Sequence, residues 1–196
     1  MNIQLRMSAL DSRPITAERS HRLYFAIQPD GPAADRIAPL SAGLAARFAR
    51  GARPVAISRL HVSLSFVGRD RGPPPAEMVG AARALASRVA MAPFLVSLDR
   101  VVSWKGRAGH RPLVLTGREG AEGVELLRRA IHRAQASAGP RFGVERAFAP
   151  HITLLWGDHD LAETPIAPVR WTVREFVLLH SGVGRQTVLG RWPLAD

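Results

Sequence analysis

Short hydrophobic runs, separated by glycine, proline and polar positions, set the main pattern of the chain. The run 23–27 predicts a strand, and the helical spacing of apolar residues over 37–48 predicts a helix, which Pro39 makes irregular and Gly51 ends. The run 60–67 predicts a further strand, because it is short, rich in residues that favour strands and followed by a glycine.

The rest of the chain alternates between helical and strand-like patterns. Helices are expected where apolar residues recur every three or four positions, and strands where β-branched and aromatic residues cluster between turns. Antiparallel hairpins interspersed with helices favour an α+β fold over a doubly wound parallel sheet. The predicted elements are helices at 77–91 and 124–136, a hairpin of strands 94–104 and 113–116, and strands at 151–156, 171–179 and 187–192.

Length and composition favour a single domain. A chain of 196 residues with 46% hydrophobic residues is large enough for one packed core. Residues 1–20 are polar and aperiodic, which predicts a flexible leader before one bilobal domain at 21–196. No apolar run approaches the roughly 20 residues of a membrane span, so we expect a soluble, cytoplasmic monomer. Cysteine is absent, which excludes disulfides, thiolate metal sites and a cysteine nucleophile.

The net charge is strongly positive. It is +11, and every basic residue except Lys105 is an arginine. Arginine matches the geometry of phosphate groups and stacks on bases, so its excess suits an anionic substrate or a nucleic acid. The codon bias of a GC-rich genome gives the same composition, so charge alone leaves both interpretations open.

The candidate chemistry lies in two similar segments, LHVSLSFVG and PHITLLWG. In each, a histidine is followed two positions later by a hydroxyl residue, with aliphatic residues between and after. Because side chains alternate along a strand, His61 shares a face with Ser63, and His151 shares one with Thr153. The aliphatic neighbours point the other way, into the core. Each segment therefore predicts a rigidly held imidazole and hydroxyl.

About half the chain separates His61 from His151, which suggests two equivalent lobes facing each other across a cleft. One histidine in a strand is usually only a structural residue, but two matched segments favour catalysis. An imidazole near its ordinary pKa of about 6.5 can accept a proton from water while a second one donates a proton to a leaving oxygen. Hydroxyls at 63 and 153 would stabilise charge on non-bridging oxygens, as an in-line displacement at phosphorus requires.

These paired His-x-Ser/Thr segments resemble the motifs of the two-histidine phosphoesterase superfamily, and specifically those of the bacterial RNA 2′,3′-cyclic phosphodiesterases, also known as LigT-like 2′-5′ RNA ligases. The resemblance extends from Arg22 to the C-terminus. The segment 22–27 is similar to the first strand of the family, 53–55 to its approach to the first motif, 148–155 to its second motif, and 190–192 to its closing strand.

The resemblance implies a fold, an activity and roles for four residues. The fold is α+β, with two pseudo-symmetric lobes of antiparallel sheet and flanking helices around a central cleft. The activity is metal-independent hydrolysis of a terminal 2′,3′-cyclic phosphate to a 2′-phosphate, without a cofactor, and related chemistry gives 2′-5′ ligation. The substrates are RNA ends or a cyclic nucleotide. His61 and His151 are then the acid–base pair, and Ser63 and Thr153 bind the phosphate. Which histidine is the acid stays open.

Two positions depart from the family pattern. Trp156 stands where the family often has an arginine, and Gln186 stands where it has a tyrosine near the closing strand. Arg69 or Arg185 is a possible replacement for the missing phosphate or RNA contact, the alternative being a solvated surface arginine. Tyr24 either stacks on a base or packs in the core. We therefore count Tyr24, Arg69, Trp156 and Arg185 as possible substrate contacts.

Other functions stay open at this point. They include a phosphodiesterase of the same superfamily that acts on a small cyclic or 2′-5′-linked nucleotide, a non-catalytic RNA-binding module, and a metallohydrolase. The last is disfavoured because neither motif contains a carboxylate at ligand spacing. Among the other histidines, His110 and His159 are placed where they could touch the substrate, and His132 is predicted to be solvated on its helix.

Overall fold

The computed structural model describes residues 21–48, 51–137 and 148–195. The predicted leader lies outside these ranges. The described part of the chain forms three helices, one short 3-10 turn at Ile57–Arg59 and nine strands. The helices are α1 (Gly31–Arg47), α2 (Ala76–Ala86) and α3 (Ala121–Ser137), and the strands are β1 (His21–Ile27), β2 (Arg53–Pro54), β3 (Val62–Asp70), β4 (Phe94–Ser103), β5 (Arg111–Thr116), β6 (His151–Gly157), β7 (Thr164–Val173), β8 (Glu175–Gly182) and β9 (Arg185–Pro193).

All the strands belong to one antiparallel sheet, in the order β7-β4-β5-β6-β3-β1-β8-β9, with β2 paired to β6. The order is symmetric about the contact between β6 and β3. On each side of that contact lies a four-stranded half, which we call the His151 half (β7-β4-β5-β6) and the His61 half (β3-β1-β8-β9). The prediction of an α+β fold with two pseudo-symmetric lobes is confirmed.

The main hydrophobic core lies on the face of the sheet that the helices cover. It takes residues from both halves, including Phe25 and Ile152, and from the buried stripes of the helices. Helix α1 packs on β6 and β7, α3 packs on β3 and β4, and α2 packs on α3 and β9. A smaller apolar cluster of Tyr24, Ala26, Val177 and Leu179 lies apart from this core. The opposite face of the central strands therefore remains open.

Local signals explain where the helices begin and end. The Asp30 side chain accepts a hydrogen bond from the Ala33 backbone N–H at 2.9 Å, so α1 begins earlier than the apolar spacing predicted. Helix α1 continues through Pro39. Helix α2 ends at Ala86, so the prediction that it extends to Met91 is wrong. Met91 instead forms a β-bridge with Ala195.

The predicted strand 171–179 is also wrong, because it is two strands. Strand β7 ends at Val173 in the His151 half, and β8 begins at Glu175 in the His61 half. The chain passes between the halves at Arg174, and both sides of the crossover are strand-like in sequence. The predicted hairpin of β4 and β5 is confirmed. None of the described helices has the length and apolar character that crossing a membrane would require.

Candidate active site

The two motif segments meet at the centre of the sheet. Strands β3 and β6 pair antiparallel with Val62 opposite Ile152, and both of these side chains are fully buried. By alternation, the residues on either side of each point to the open face. His61, Ser63, His151 and Thr153 therefore project from neighbouring strands into one cleft, which they help to line.

Each histidine is held in the same way, by the backbone two residues before it. The Nδ1–H of His61 donates to the backbone oxygen of Arg59 at 2.7 Å, and the Nδ1–H of His151 donates to that of Ala149 at 2.8 Å. A carbonyl can only accept, so Nδ1 carries a proton in both rings. In each ring Nε2 is left to accept a proton when the imidazole is neutral or to donate one when it is charged.

The cleft is shaped and charged for an anion. It encloses about 610 Å³, and none of the described residues that line it is an aspartate or a glutamate. The hydroxyls of Ser63 and Thr153 lie in it and make no hydrogen bond to another described residue. The larger cavity of about 740 Å³, near Asp30 and Arg174, contains neither histidine. The basic residues that line the cleft are Arg22, Arg53, Arg59, Arg69, His61 and His151.

The surroundings of His61 are aromatic and polar. Its ring lies 5.1 Å from the ring of Tyr24, and its Nδ1 lies 3.3 Å from the amide nitrogen of Gln186, which is also 2.8 Å from the Tyr24 hydroxyl. Burial lowers the pKa of His61 below 6.5, and the charges of His151 and Arg59 lower it further, against an opposing effect of the hydrogen bond to Arg59. His61 is therefore held mainly in its neutral form near pH 7.

The surroundings of His151 are aromatic and more open. Its ring lies 4.3 Å from that of Trp104, in the loop between β4 and β5. Trp156 also lines the cleft and stacks on His110 at 4.4 Å, with the rings only 12° from parallel. The Arg53 side chain hydrogen-bonds to His110 Nδ1 at 3.1 Å. The His151 half therefore presents a flat aromatic surface beside the candidate catalytic residues, and His110 holds Trp156 in place within it.

Two shifts in the pairing register of β3 with β1 determine which later residues of β3 point into the cleft. Opposite β1, the pairing skips one β3 residue between Ser63 and Ser65 and another between Phe66 and Gly68. As a result Ser65 is buried and donates to Gln135 Oε1 at 2.9 Å, while Phe66 lies in the cleft wall, 37% exposed. Ser65 still lines the cleft, whereas strict alternation would have pointed Phe66 into the core.

The structure separates the remaining candidate residues. Tyr24, Arg69 and Trp156 line the cleft, whereas Arg185 lies exposed at the start of β9 and does not line it. His159 is buried against Phe48, with its Nδ1 2.8 Å from the Ser103 hydroxyl, so the expectation that it touches substrate is wrong.

His132 also differs from its prediction. Its Nε2 lies 3.1 Å from the Ser65 hydroxyl, and its side chain is only partly exposed. It therefore belongs to the contact between α3 and β3 and not to a solvated face. Sequence reasoning missed Trp104 and Phe66, and it noted Gln186 only as a departure from a pattern. Within the described ranges, no group of three or more histidine, aspartate or glutamate side chains is arranged to hold a metal ion.

Comparisons with known proteins agree with this geometry. No family model matches the chain. The chain is 33% identical over 150 residues to the RNA 2′,3′-cyclic phosphodiesterase of Escherichia coli, covering 74% of this chain and 81% of that protein. Its structure matches that of E. coli LigT complexed with 3′-AMP with a TM-score of 0.72 and 29% identity, over 90% of this chain and 99% of the other.

A third comparison bears on the fold alone. The protein TT0787 of Thermus thermophilus matches with a TM-score of 0.69 and 21% identity, over 88% of this chain and 97% of that one. The sequence match to the E. coli enzyme extends over most of both proteins, and the two histidine motifs converge on one cleft. The chain belongs to the RNA 2′,3′-cyclic phosphodiesterase (LigT-like) family of two-histidine phosphoesterases.

Proposed function

We propose that this protein hydrolyses a terminal 2′,3′-cyclic phosphate on RNA to a 2′-phosphate. The observation that carries the proposal is that two histidines and two hydroxyls meet in one cleft. Each histidine is held through its Nδ1–H, and neither hydroxyl is hydrogen-bonded to another described residue. Arginines line the cleft, and no described carboxylate does. The E. coli relative is an RNA 2′,3′-cyclic phosphodiesterase, which supports the same reaction here.

The reaction needs one proton to be taken and one to be given. Water attacks phosphorus, its proton passes to Nε2 of one histidine, and the bond from phosphorus to O3′ breaks. The other histidine gives its Nε2 proton to O3′, which leaves as the 3′-hydroxyl. Ser63 and Thr153 donate hydrogen bonds to the non-bridging oxygens, where charge develops. The two histidines end with their protonation states exchanged, and solvent restores them.

His61 is the general base in this proposal, and His151 is the general acid. When the pair holds one proton between them, that proton favours the ring that is less buried, because burial penalises the charged form. Burial lowers the pKa of His61, whose surroundings also include Tyr24 and Gln186. The hydrogen bond of His151 to Ala149 is exposed, whereas that of His61 to Arg59 is partly buried, and the His151 ring lies against Trp104. The neutral ring accepts the proton of water, and the charged ring protonates O3′.

Aromatic side chains in the cleft support an RNA end as the substrate. Trp156 and Phe66 both line the cleft, and Trp156 is braced by His110. Bases stack on aromatic side chains with a gain of about 1–3 kcal/mol each. Trp156 is thus the base-binding residue of this proposal, in place of the arginine that the family often has there. The predictions of 2′-5′ ligation, a monomer and a cytoplasmic location stay predictions.

The test is hydrolysis of a short RNA bearing a 2′,3′-cyclic phosphate, in the presence of EDTA, by the wild type and by His61→Ala and His151→Ala. We expect conversion to a 2′-phosphate by the wild type and almost none by either variant. Binding of the RNA by all three proteins without turnover would instead indicate a non-catalytic RNA-binding module. Loss of activity on adding EDTA would indicate a metallohydrolase.

A further inference from the structure

Arg22 and Arg69 form a pair of cations at one end of the cleft. They lie opposite each other on β1 and β3, and both line the cleft wall. The pKa of Arg22 is lowered, first by burial and then by the neighbouring charge of Arg69. Two like charges placed together destabilise each other, so an anion bound between them would be favoured.

No described carboxylate neutralises this pair. Arginines elsewhere on the surface have such partners: Arg100 pairs with Glu163, and Arg191 pairs with Glu175. Among the described residues, Arg22 and Arg69 have no ion pair, although Asp70 is next in sequence. Asp70 instead accepts a hydrogen bond from the backbone N–H of Arg71 at 2.6 Å. No residue in the described ranges therefore neutralises the two guanidinium groups, which leaves them available to an anionic ligand.

The arginine pair lies some way along the sheet from the residues that would hold the reacting phosphate. Arg22 lies four positions along β1 from Ala26, the partner of Ser63, which corresponds to roughly 13 Å at the usual rise of a strand. Tyr24 and Phe66, which are opposite each other in the register, lie between the pair and the histidines. An anion at the pair is thus a different phosphate from the one that the histidines attack.

We propose that Arg22 and Arg69 bind an internal phosphodiester of the RNA, upstream of the cyclic phosphate, and so make the enzyme prefer oligonucleotides to cyclic mononucleotides. This inference rests on the proposed function, because it takes the cleft to hold an RNA end. Guanidinium forks pair well with phosphate oxygens and read no base, so the preference is for chain length and not for sequence.

The experiment compares kcat/KM for a cyclic mononucleotide with kcat/KM for a pentanucleotide that ends in the same cyclic nucleotide. The proteins are the wild type, Arg22→Gln, Arg69→Gln and, as a matched control, Arg36→Gln, an exposed arginine of α1 outside the cleft. We expect a higher value for the pentanucleotide in the wild type. Each cleft variant lowers the ratio of the two values about tenfold, since a charged phosphate contact is lost. Arg36→Gln leaves the ratio unchanged.

The salt dependence gives a second readout. In the wild type, log kcat/KM should fall more steeply with log salt concentration for the pentanucleotide than for the mononucleotide, and each cleft variant should reduce the pentanucleotide slope by about 1. Equal ratios and slopes in all four proteins would overturn the arginine site while leaving the proposed reaction intact. A wild type that hydrolyses neither substrate would refute the proposed function itself. Thermal unfolding serves as the check on folding of each variant.

Discussion

The His61 half and the His151 half share a scaffold and differ in what surrounds it. In both, a histidine at the central strand donates its Nδ1–H to the backbone oxygen two residues earlier. In both, a hydroxyl residue follows two positions later on the same face. Yet His61 is enclosed by Tyr24 and Gln186, whereas His151 lies against an indole at a more open position.

In the proposed mechanism, the different surroundings of His61 and His151 give two similarly held histidines opposite roles in proton transfer. The hydrogen bond from Nδ1–H to the backbone fixes the tautomer of both histidines and sets the direction of both Nε2 atoms. In this mechanism, the unequal burial sets which ring keeps the proton, because burial lowers the pKa of an imidazole. The symmetry of the strands brings the two histidines together, and we propose that the asymmetry of the side chains makes one the base and the other the acid.

Removing either imidazole should have the largest effect. We expect His61→Ala and His151→Ala each to lower kcat about 10²–10⁴-fold, the usual contribution of a positioned acid or base. His180→Ala is the matched control, because His180 contacts His21 and lies outside the cleft lining. Thermal unfolding should show all three variants folded. If His61→Ala or His151→Ala retained wild-type turnover, that ring would have no part in proton transfer.

Removing a hydroxyl should have the next largest effect. Ser63→Ala and Thr153→Ala each delete a donor to the non-bridging oxygens, and we expect kcat to fall about 10²-fold, as for one oxyanion donor. Because both halves use the hydroxyl in the same way, the two losses should be of similar size. Ser63→Thr and Thr153→Ser keep the donor and should retain most of the activity. A loss confined to KM would show that the hydroxyls bind substrate and transition state equally.

Trp156→Ala should act on binding and not on chemistry. Loss of one stacked base at about 1–3 kcal/mol corresponds to an increase in KM of roughly tenfold, with kcat little changed. Trp156→Phe is the matched control, since it retains an aromatic face. Steady-state kinetics on a short RNA would measure both constants. An unchanged KM would place the base elsewhere in the cleft.

The smallest effect is on pH dependence. The pKa of His61 is lowered below 6.5, mainly by burial, and the base must be neutral to act. The kcat/KM of the wild type should therefore persist as the pH falls through 6.5 and decline only below it. Tyr24→Ala opens the ring to water and should move this acidic limb up towards 6.5. Tyr24→Phe keeps the enclosure and should leave the limb in place, so equal limbs in both variants would contradict the burial argument.

The sequence predicted the parts of the site that follow from strand periodicity. His61, Ser63, His151 and Thr153 lie in the cleft because each pair is two positions apart with an aliphatic residue between. The spacing of the two histidines and the resemblance to a known family both predicted the bilobal arrangement, and the structure confirms it. The fold class and the β4–β5 hairpin were predicted correctly for the same reason, since local patterns specify them.

The remainder depends on contacts between distant parts of the chain. The irregular register of β3 turns Phe66 towards the cleft, and no local pattern indicates it. Gln186 reaches His61 only because β9 lies beside β8 and β8 beside β1. His159 looked like a loop histidine but fills the core beneath Phe48. Such placements are set by tertiary packing, which a single sequence does not display.

The most direct test of the division between base and acid is a substrate whose leaving atom needs no proton. In an RNA end with sulfur in place of O3′ in the cyclic phosphate, the thiolate leaves unprotonated, so only the acid becomes dispensable. We predict that His151→Ala regains most of the wild-type rate on this substrate and that His61→Ala stays inactive. Rescue of His61→Ala, with His151→Ala inactive, would reverse the two roles and contradict the account.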